Sequence, residues 1–167
     1  MKKDDIMLKV SVERIFACDV EIPELGRMSS EILLSLLIDL DDEELVRKFR
    51  KWIVWIPVLH RRDFKYEWLD KYADIVVWGP TLEYLMINPV LQRRISLKKV
   101  FSVVAKNFGR IGKDHVAKIC KLVPLPPSVV TKYIDRVTED IFDNPLFRTY
   151  PNSLRLLLKQ KFNRQEV

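Results

Sequence analysis

Apolar and polar positions alternate along the first part of the chain. From Leu8 to Ile22 the even positions are Leu8, Val10, Val12, Arg14, Phe16, Cys18, Val20 and Ile22, with mostly polar residues between them. A period of two is that of a strand with one buried face. Arg14 interrupts the apolar set and no Gly or Asn-Gly turn marks a hairpin, so one long strand and two short ones are both open. Pro23 and Gly26 end the segment. A lone strand needs a partner, in a second copy or elsewhere in the chain. Here Ile75-Val76-Val77-Trp78, closed by Gly79-Pro80, is the candidate.

Beyond Gly26 the pattern is helical. Ser29 or Ser30 is a candidate N-cap before Ile32, Leu33, Leu34, Leu36, Leu37 and Ile38, a run apolar nearly all round and so predicted to be buried on most sides. A second helix is predicted from Asp41-Asp42-Glu43-Glu44, acids suited to a helix N-terminus, through Leu45, Val46, Phe49, Trp52 and Ile53 to a stop at Pro57. A third runs from about Asp63, and a short one spans Thr81 to Ile87. Three more follow: Ser96–Phe108, ending at Gly109; Lys113–Val123; and, after Pro124-Leu125-Pro126-Pro127, Ser128 to about Phe142. Each carries an apolar stripe at helical spacing. Another short helical run covers Asn152 to Phe162. The predicted fold is mainly α with a minor β element: N-terminal strand or strands plus a helical bundle.

Composition bounds the class. A chain of 167 residues that is 48% hydrophobic and 31% charged has material for a core in one domain or two small ones. Four glycines against nine prolines disfavour glycine-rich phosphate loops and turn-dense barrels. Two cysteines and two histidines supply neither a disulfide framework nor a four-ligand zinc site. The apolar runs are too short for a membrane span, and Met1-Lys2-Lys3-Asp4-Asp5 leads into no apolar signal segment. The expectation is an intracellular, cytoplasmic protein without a membrane partner. Few Gln and Asn (3 and 5) lean toward a thermophilic composition.

Charge is uneven. Residues 1–90 hold 13 Lys/Arg against 17 Asp/Glu, a balance of −4; residues 91–136 hold 11 against 2, a balance of +9; residues 137–167 hold 5 against 4. The division is into an acidic, aromatic-rich half (1–90), suited to dimerisation or partner docking, and a basic helical half (91–167). A dense positive block favours polyanions, nucleic acid foremost, although a solvated lysine-rich face has the same composition. Four tryptophans (Trp52, Trp55, Trp68, Trp78) lie within 27 residues beside Arg61-Arg62. Trp52, Trp55 and Trp68 with Arg61 and Arg62 are candidates for base stacking or partner contacts; filling the core between helices is the commoner use of such residues.

The run Leu125-Pro126-Pro127-Ser128-Val129-Val130-Thr131-Lys132-Tyr133-Ile134, with the small Ala117 in the helix before it, resembles the tri-helical helix-turn-helix superfamily over about 96–142. The proline-rich turn is about three residues longer than usual and no wing hairpin follows. The resemblance implies that the third basic helix enters the major groove, with Ser128, Val129, Thr131 and Lys132 toward bases. Nucleic-acid contacts are expected from Arg93, Arg94, Lys98, Lys99, Lys106, Arg110, Lys113, Lys118, Lys121, Lys132 and Arg136, with Lys98, Lys99, Lys106, Arg110, Lys113, Lys118 and Lys132 on phosphates. A plain helical bundle with a proline-rich loop fits the same pattern.

Catalytic constellations are sparse. His115 and Cys120, five apart on a helix, fall on different faces, and the acids at 41–44 are explained by helix capping. Acids from distant segments (Asp19, Glu21, Asp74) with a lysine nearby leave a metal-dependent nuclease as a minor alternative. The leading expectation is a non-enzymatic, cofactor-free DNA-binding regulator, or a replication or transcription accessory factor. Duplex is the favoured target, with single strand or RNA open; a homodimer or a protein partner would engage the N-terminal half. A structural or adaptor subunit of a nucleoprotein assembly is the alternative.

Overall fold

The computed structural model describes residues 38–164, whose regular elements are all helices, with no strand among these residues. The alternating segment at Leu8–Ile22 and the helix predicted after Ser29 lie outside the described residues. In order come α1 (Glu43–Lys48), α2 (Trp55–His60), α3 (Tyr66–Lys71), α4 (Trp78–Ile87), α5 (Pro89–Gln92), α6 (Leu97–Lys106), α7 (Lys113–Leu122) and α8 (Pro127–Lys132). Two 3₁₀ helices (Glu139–Asp143 and Phe147–Thr149) and α9 (Asn152–Lys161) follow. The chain divides into two compact units between Trp68 and Leu69, so the composition boundary at 90/91 falls inside the second.

In the first unit, Asp42 caps α1 through its carboxylate, which accepts from the Leu45 N–H at 3.0 Å, and Glu43 and Glu44 occupy the first turn as the dipole favours. The helix stops at Lys48, and a turn through Phe49–Trp52 precedes α2, so the single helix predicted from Asp41 to Ile53 is two shorter ones. Pro57 does not terminate a helix. It occupies the third position of α2, where a missing N–H costs nothing because the first four N–H groups of a helix have no partner.

The same rule corrects the reading of residues 75–78. Ile75 to Val77 form a turn and Trp78 opens α4, with Gly79 and Pro80 inside its first turn rather than closing a strand. Trp78 is fully buried and its indole N–H donates to the Ala73 carbonyl at 2.8 Å, which ties the start of the helix to the turn before it.

The second unit is built around α7, which packs against the 3₁₀ helix Glu139–Asp143 and against α4. Its Val116, Ile119 and Cys120 are buried, as the stripe predicts, along with Val100 and Val104 of α6, Val130 of α8 and Leu154 and Leu158 of α9. The third basic helix is shorter than its apolar spacing predicts: α8 ends at Lys132, and a turn over residues 133–136 leads to the 3₁₀ helix.

The proline-rich turn after α7 creates a hydrogen-bonding problem that one side chain solves. The Cys120 carbonyl stands four residues before Pro124, which has no N–H to give, and at Val123 the chain leaves the helix with ψ 126°, so the Val123 carbonyl has no helical partner either. Asn144, 5% exposed, donates both amide protons instead, to Cys120 O at 2.6 Å and Val123 O at 2.8 Å. Its own oxygen accepts from the Leu146 N–H at 3.0 Å. Tyr150, also buried, donates its hydroxyl to the Leu125 carbonyl at 2.8 Å.

Candidate nucleic-acid interface

The eleven cations of Leu91–Arg136 separate into three groups. The first is held by carboxylates. Lys106 Nζ lies 2.6 Å from Asp70 Oδ2, and the Asn107 amide donates to Asp70 Oδ1 at 2.5 Å. Lys106 and then Asn107 hold the Asp70 carboxyl below the usual carboxylate range. Arg110 reaches Asp74 at 3.3 Å and the carbonyls of Asp70 and Lys71. Lys118 pairs with Glu83, and Lys121 stands 3.8 Å from Asp143. Exposed pairs of this kind add little stability, but each cancels a positive charge locally.

The second group is Arg136 alone. Its guanidinium donates to the carbonyls of Gly109 and Ile111 and lies 5.9 Å from the centre of the Phe108 ring. It is a strut for the turn between α6 and α7. Gly109 packs closely there: a Cβ on it would sit 2.6 Å from the Tyr133 ring, which would have to shift to admit it.

The third group is defined by place, on the surface where α5 meets α6, at the start of α7 and at the end of α8. Arg93, Arg94, Lys98, Lys99, Lys113 and Lys132 are all exposed, Lys132 with its ammonium 5.1 Å from the centre of the Tyr133 ring. Ser128 and Thr131 are exposed on α8 as well. Four of the six cations fall within seven residues, where α5 turns into α6. No Asp or Glu occurs between Glu83 and Asp114. Ser96 caps α6, its hydroxyl accepting from the Lys99 N–H at 3.4 Å, so Lys98 and Lys99 occupy a first turn that contains no acid. The helix dipole is positive at that end and adds to the lysine charges instead of offsetting them. Counting all residues from Leu69 onward, 17 Lys/Arg face 9 Asp/Glu, a balance of +8, so the internal pairs leave the excess intact.

Of the aromatic and arginine candidates of the acidic half, Trp55, Trp68 and Arg61 are taken up by the packing of the first unit. Trp55 and Trp68 are 2% and 3% exposed, whereas Trp52 is 41% exposed. Trp68 donates its indole N–H to Asp41 at 2.9 Å and lies beneath the Arg61 guanidinium, 5.0 Å from the ring centre. Arg61 also grips Asp63 through two bonds of 2.9 Å and donates to the Ile38 carbonyl at 3.0 Å. That pairing holds the Asp63 carboxyl low. Trp52 and Arg62 remain on the surface; Trp55, Trp68 and Arg61 do not offer a stacking face.

Cys120 is buried and burial pushes its thiol upward, away from the reactive thiolate. Asp74, one of the three acids of the nuclease reading, pairs with Arg110, while Asp19 and Glu21 lie outside the described residues. No group of three or more His, Cys, Asp or Glu side chains that could hold a metal ion occurs among the described residues, and no helix there is long and apolar enough to cross a membrane.

Two features escaped sequence reasoning. Asn144 and Tyr150 carry no pattern, because their role depends on a turn 20 to 30 residues earlier. The other is an apolar corner: Ile87 is 78% and Val90 65% exposed, directly before the arginine pair. The signal for it was their absence from any apolar stripe, beside the helix-breaking Asn88-Pro89. No known protein family matches the chain, and neither a curated protein nor a solved structure matches it significantly.

Proposed function

We propose that the chain is a non-enzymatic nucleic-acid-binding protein whose phosphate contacts come from the corner between α5 and α6. The observation that carries this reading is the concentration of Arg93, Arg94, Lys98 and Lys99, all exposed, within a 30-residue stretch free of acids and at the positive end of a ten-residue helix. Cations at a helix N-terminus raise the energy of the unliganded protein, and a polyanion relieves it. Lys113 and Lys132 extend the positive surface. In the helix-turn-helix form of the proposal, Ser128, Thr131 and Lys132 on α8 are the side chains nearest to bases, with duplex DNA as the target and regulation or replication as the role.

A second reading, an adaptor within a nucleoprotein assembly, draws on Leu156 and Leu157, which stand 48% and 45% exposed side by side on α9. The test of the first is fluorescence anisotropy with labelled duplex and single-stranded DNA at low salt, with and without chelator. Binding to either strand form with no cleavage is the expected result. Absence of binding to both at low salt overturns it in favour of the adaptor, and chelator-sensitive cleavage overturns it in favour of a nuclease.

A further inference from the structure

The corner that precedes the cations is apolar and exposed, over a backbone tied by side-chain hydrogen bonds. Ile87 ends α4 at 78% exposure, Met86 before it is 38% exposed, and Val90 in α5 is 65% exposed. Two side chains hold the backbone beneath them. Gln92 donates both amide protons to the last carbonyls of α4, Leu85 O at 2.8 Å and Met86 O at 2.7 Å. Asn88 caps α5, its oxygen accepting from the Leu91 N–H at 3.0 Å. Leu91 and Ile95 face inward, and Val90, Arg93 and Arg94, spaced i, i+3 and i+4, share the opposite face. Arg93 is still in helical conformation, with φ −71° and ψ −23°.

Branched apolar side chains beside arginines fit a ligand that is polyanionic outside and apolar within. We infer that Ile87 and Val90 form a wedge that enters an opened base step while Arg93 and Arg94 hold the phosphates on either side. This rests on the nucleic-acid reading above and names the form of nucleic acid: one with an unstacked or easily unstacked step, such as a bulge. Apolar wedges flanked by cations are a general device for binding deformed duplexes. A second copy of this chain is a poor occupant, because a symmetric contact here would set Arg93 and Arg94 against their own mates. A protein partner is poorly served too: three apolar side chains are a small centre for a stable interface, which covers about 800 Å² per partner.

The experiment uses the full chain and two labelled DNAs of matched composition, a continuous duplex and one with a single-nucleotide bulge, with 2-aminopurine beside the bulge. Ile87→Ala/Val90→Ala changes only exposed side chains, so folding is preserved, and circular dichroism checks this. Wild type is expected to prefer the bulged duplex and to raise 2-aminopurine fluorescence. The apolar variant is expected to lose about tenfold in affinity for the bulged duplex, the effect of re-exposing one or two branched side chains, and to lose the fluorescence change with its salt dependence unaltered. Arg93→Ala/Arg94→Ala is expected to weaken both DNAs alike and to flatten the salt dependence by about two units. Equal binding of both DNAs by wild type, or an apolar variant that keeps the preference, overturns the wedge and leaves the nucleic-acid reading standing. No binding to either DNA at low salt overturns both readings, and binding to phosphatidylserine vesicles in its place assigns the corner to an anionic membrane surface.

Discussion

Asn144→Ala tests the reading of the proline-rich turn. In the native protein this side chain supplies two donors to carbonyls left without helical partners at the end of α7 and one acceptor to the Leu146 N–H, at 2.6, 2.8 and 3.0 Å. Alanine removes all three and leaves the groups buried, because the site is 5% exposed, Pro124 has no N–H for Cys120 O, and the chain has left the helix at Val123. A buried polar group left unsatisfied costs about 1–3 kcal/mol. Partial relaxation and entry of a water reduce the sum, so the expected loss is about 3 kcal/mol. Urea unfolding followed by circular dichroism measures it as a lower midpoint at unchanged slope. Tyr150→Phe, which removes one hydroxyl donated to Leu125 O, should cost about 1 kcal/mol. Asn144→Asp keeps the acceptor but turns a carboxylate on two carbonyls, so it should be no better than alanine. An alanine variant within about 0.5 kcal/mol of wild type, the range of an ordinary surface change, would falsify this account of the turn.

Other perturbations follow from the same geometry. Gly109→Ala places a Cβ against the Tyr133 ring and should lower stability by about 1–3 kcal/mol; adding Tyr133→Leu should recover part of the loss, and strictly additive effects in thermal melts contradict the contact. Asp70 has its pKa lowered by Lys106 and Asn107, so its contribution is present above the unfolded carboxylate value and fades as pH falls through the lower folded one. The gap in urea midpoint between wild type and Asp70→Asn should therefore be open at pH 7 and shrink below about pH 4; a gap independent of pH sinks the assignment. Of the tryptophans among the described residues, Trp52 alone is exposed, so iodide should quench a fraction of the fluorescence that Trp52→Phe abolishes, and quenching that survives the change shows that another indole is open.

The helices were legible where an apolar stripe was clear, with a side-chain cap at α6 and without one at α7. Ser96 and the stripe Val100–Val104 place α6, and Lys113 through Leu122 follow the pattern closely. Misreadings cluster at proline. Pro57 and Pro80 look like breaks, yet both lie in first turns, where the ring costs no hydrogen bond. Periodicity also overran the end of α8: Tyr133, Val137 and Ile141 keep helical spacing, but Val137 and Ile141 reach the core through a turn and a 3₁₀ helix.

At the candidate interface, the charge block was visible in the sequence and its partition was not. Which lysines meet Asp70, Glu83 or Asp143 depends on elements 20 to 40 residues apart, and Arg136 reads as a nucleic-acid contact until its two carbonyl partners are placed. The tryptophan cluster shows the same limit, since spacing alone does not separate buried Trp55 and Trp68 from exposed Trp52.

The central claim is that the exposed corner cations, more than Lys118 and Lys121, meet phosphate. The direct measurement is the salt dependence of DNA affinity for wild type, for Arg93→Ala/Arg94→Ala/Lys98→Ala/Lys99→Ala, and for Lys118→Ala/Lys121→Ala. Four lost phosphate contacts on duplex should flatten the slope of log affinity on log salt by about 3.6 units, while the pair facing Glu83 and Asp143 should change it by less than about one. Equal flattening by both variants, or none by the corner variant, contradicts the account.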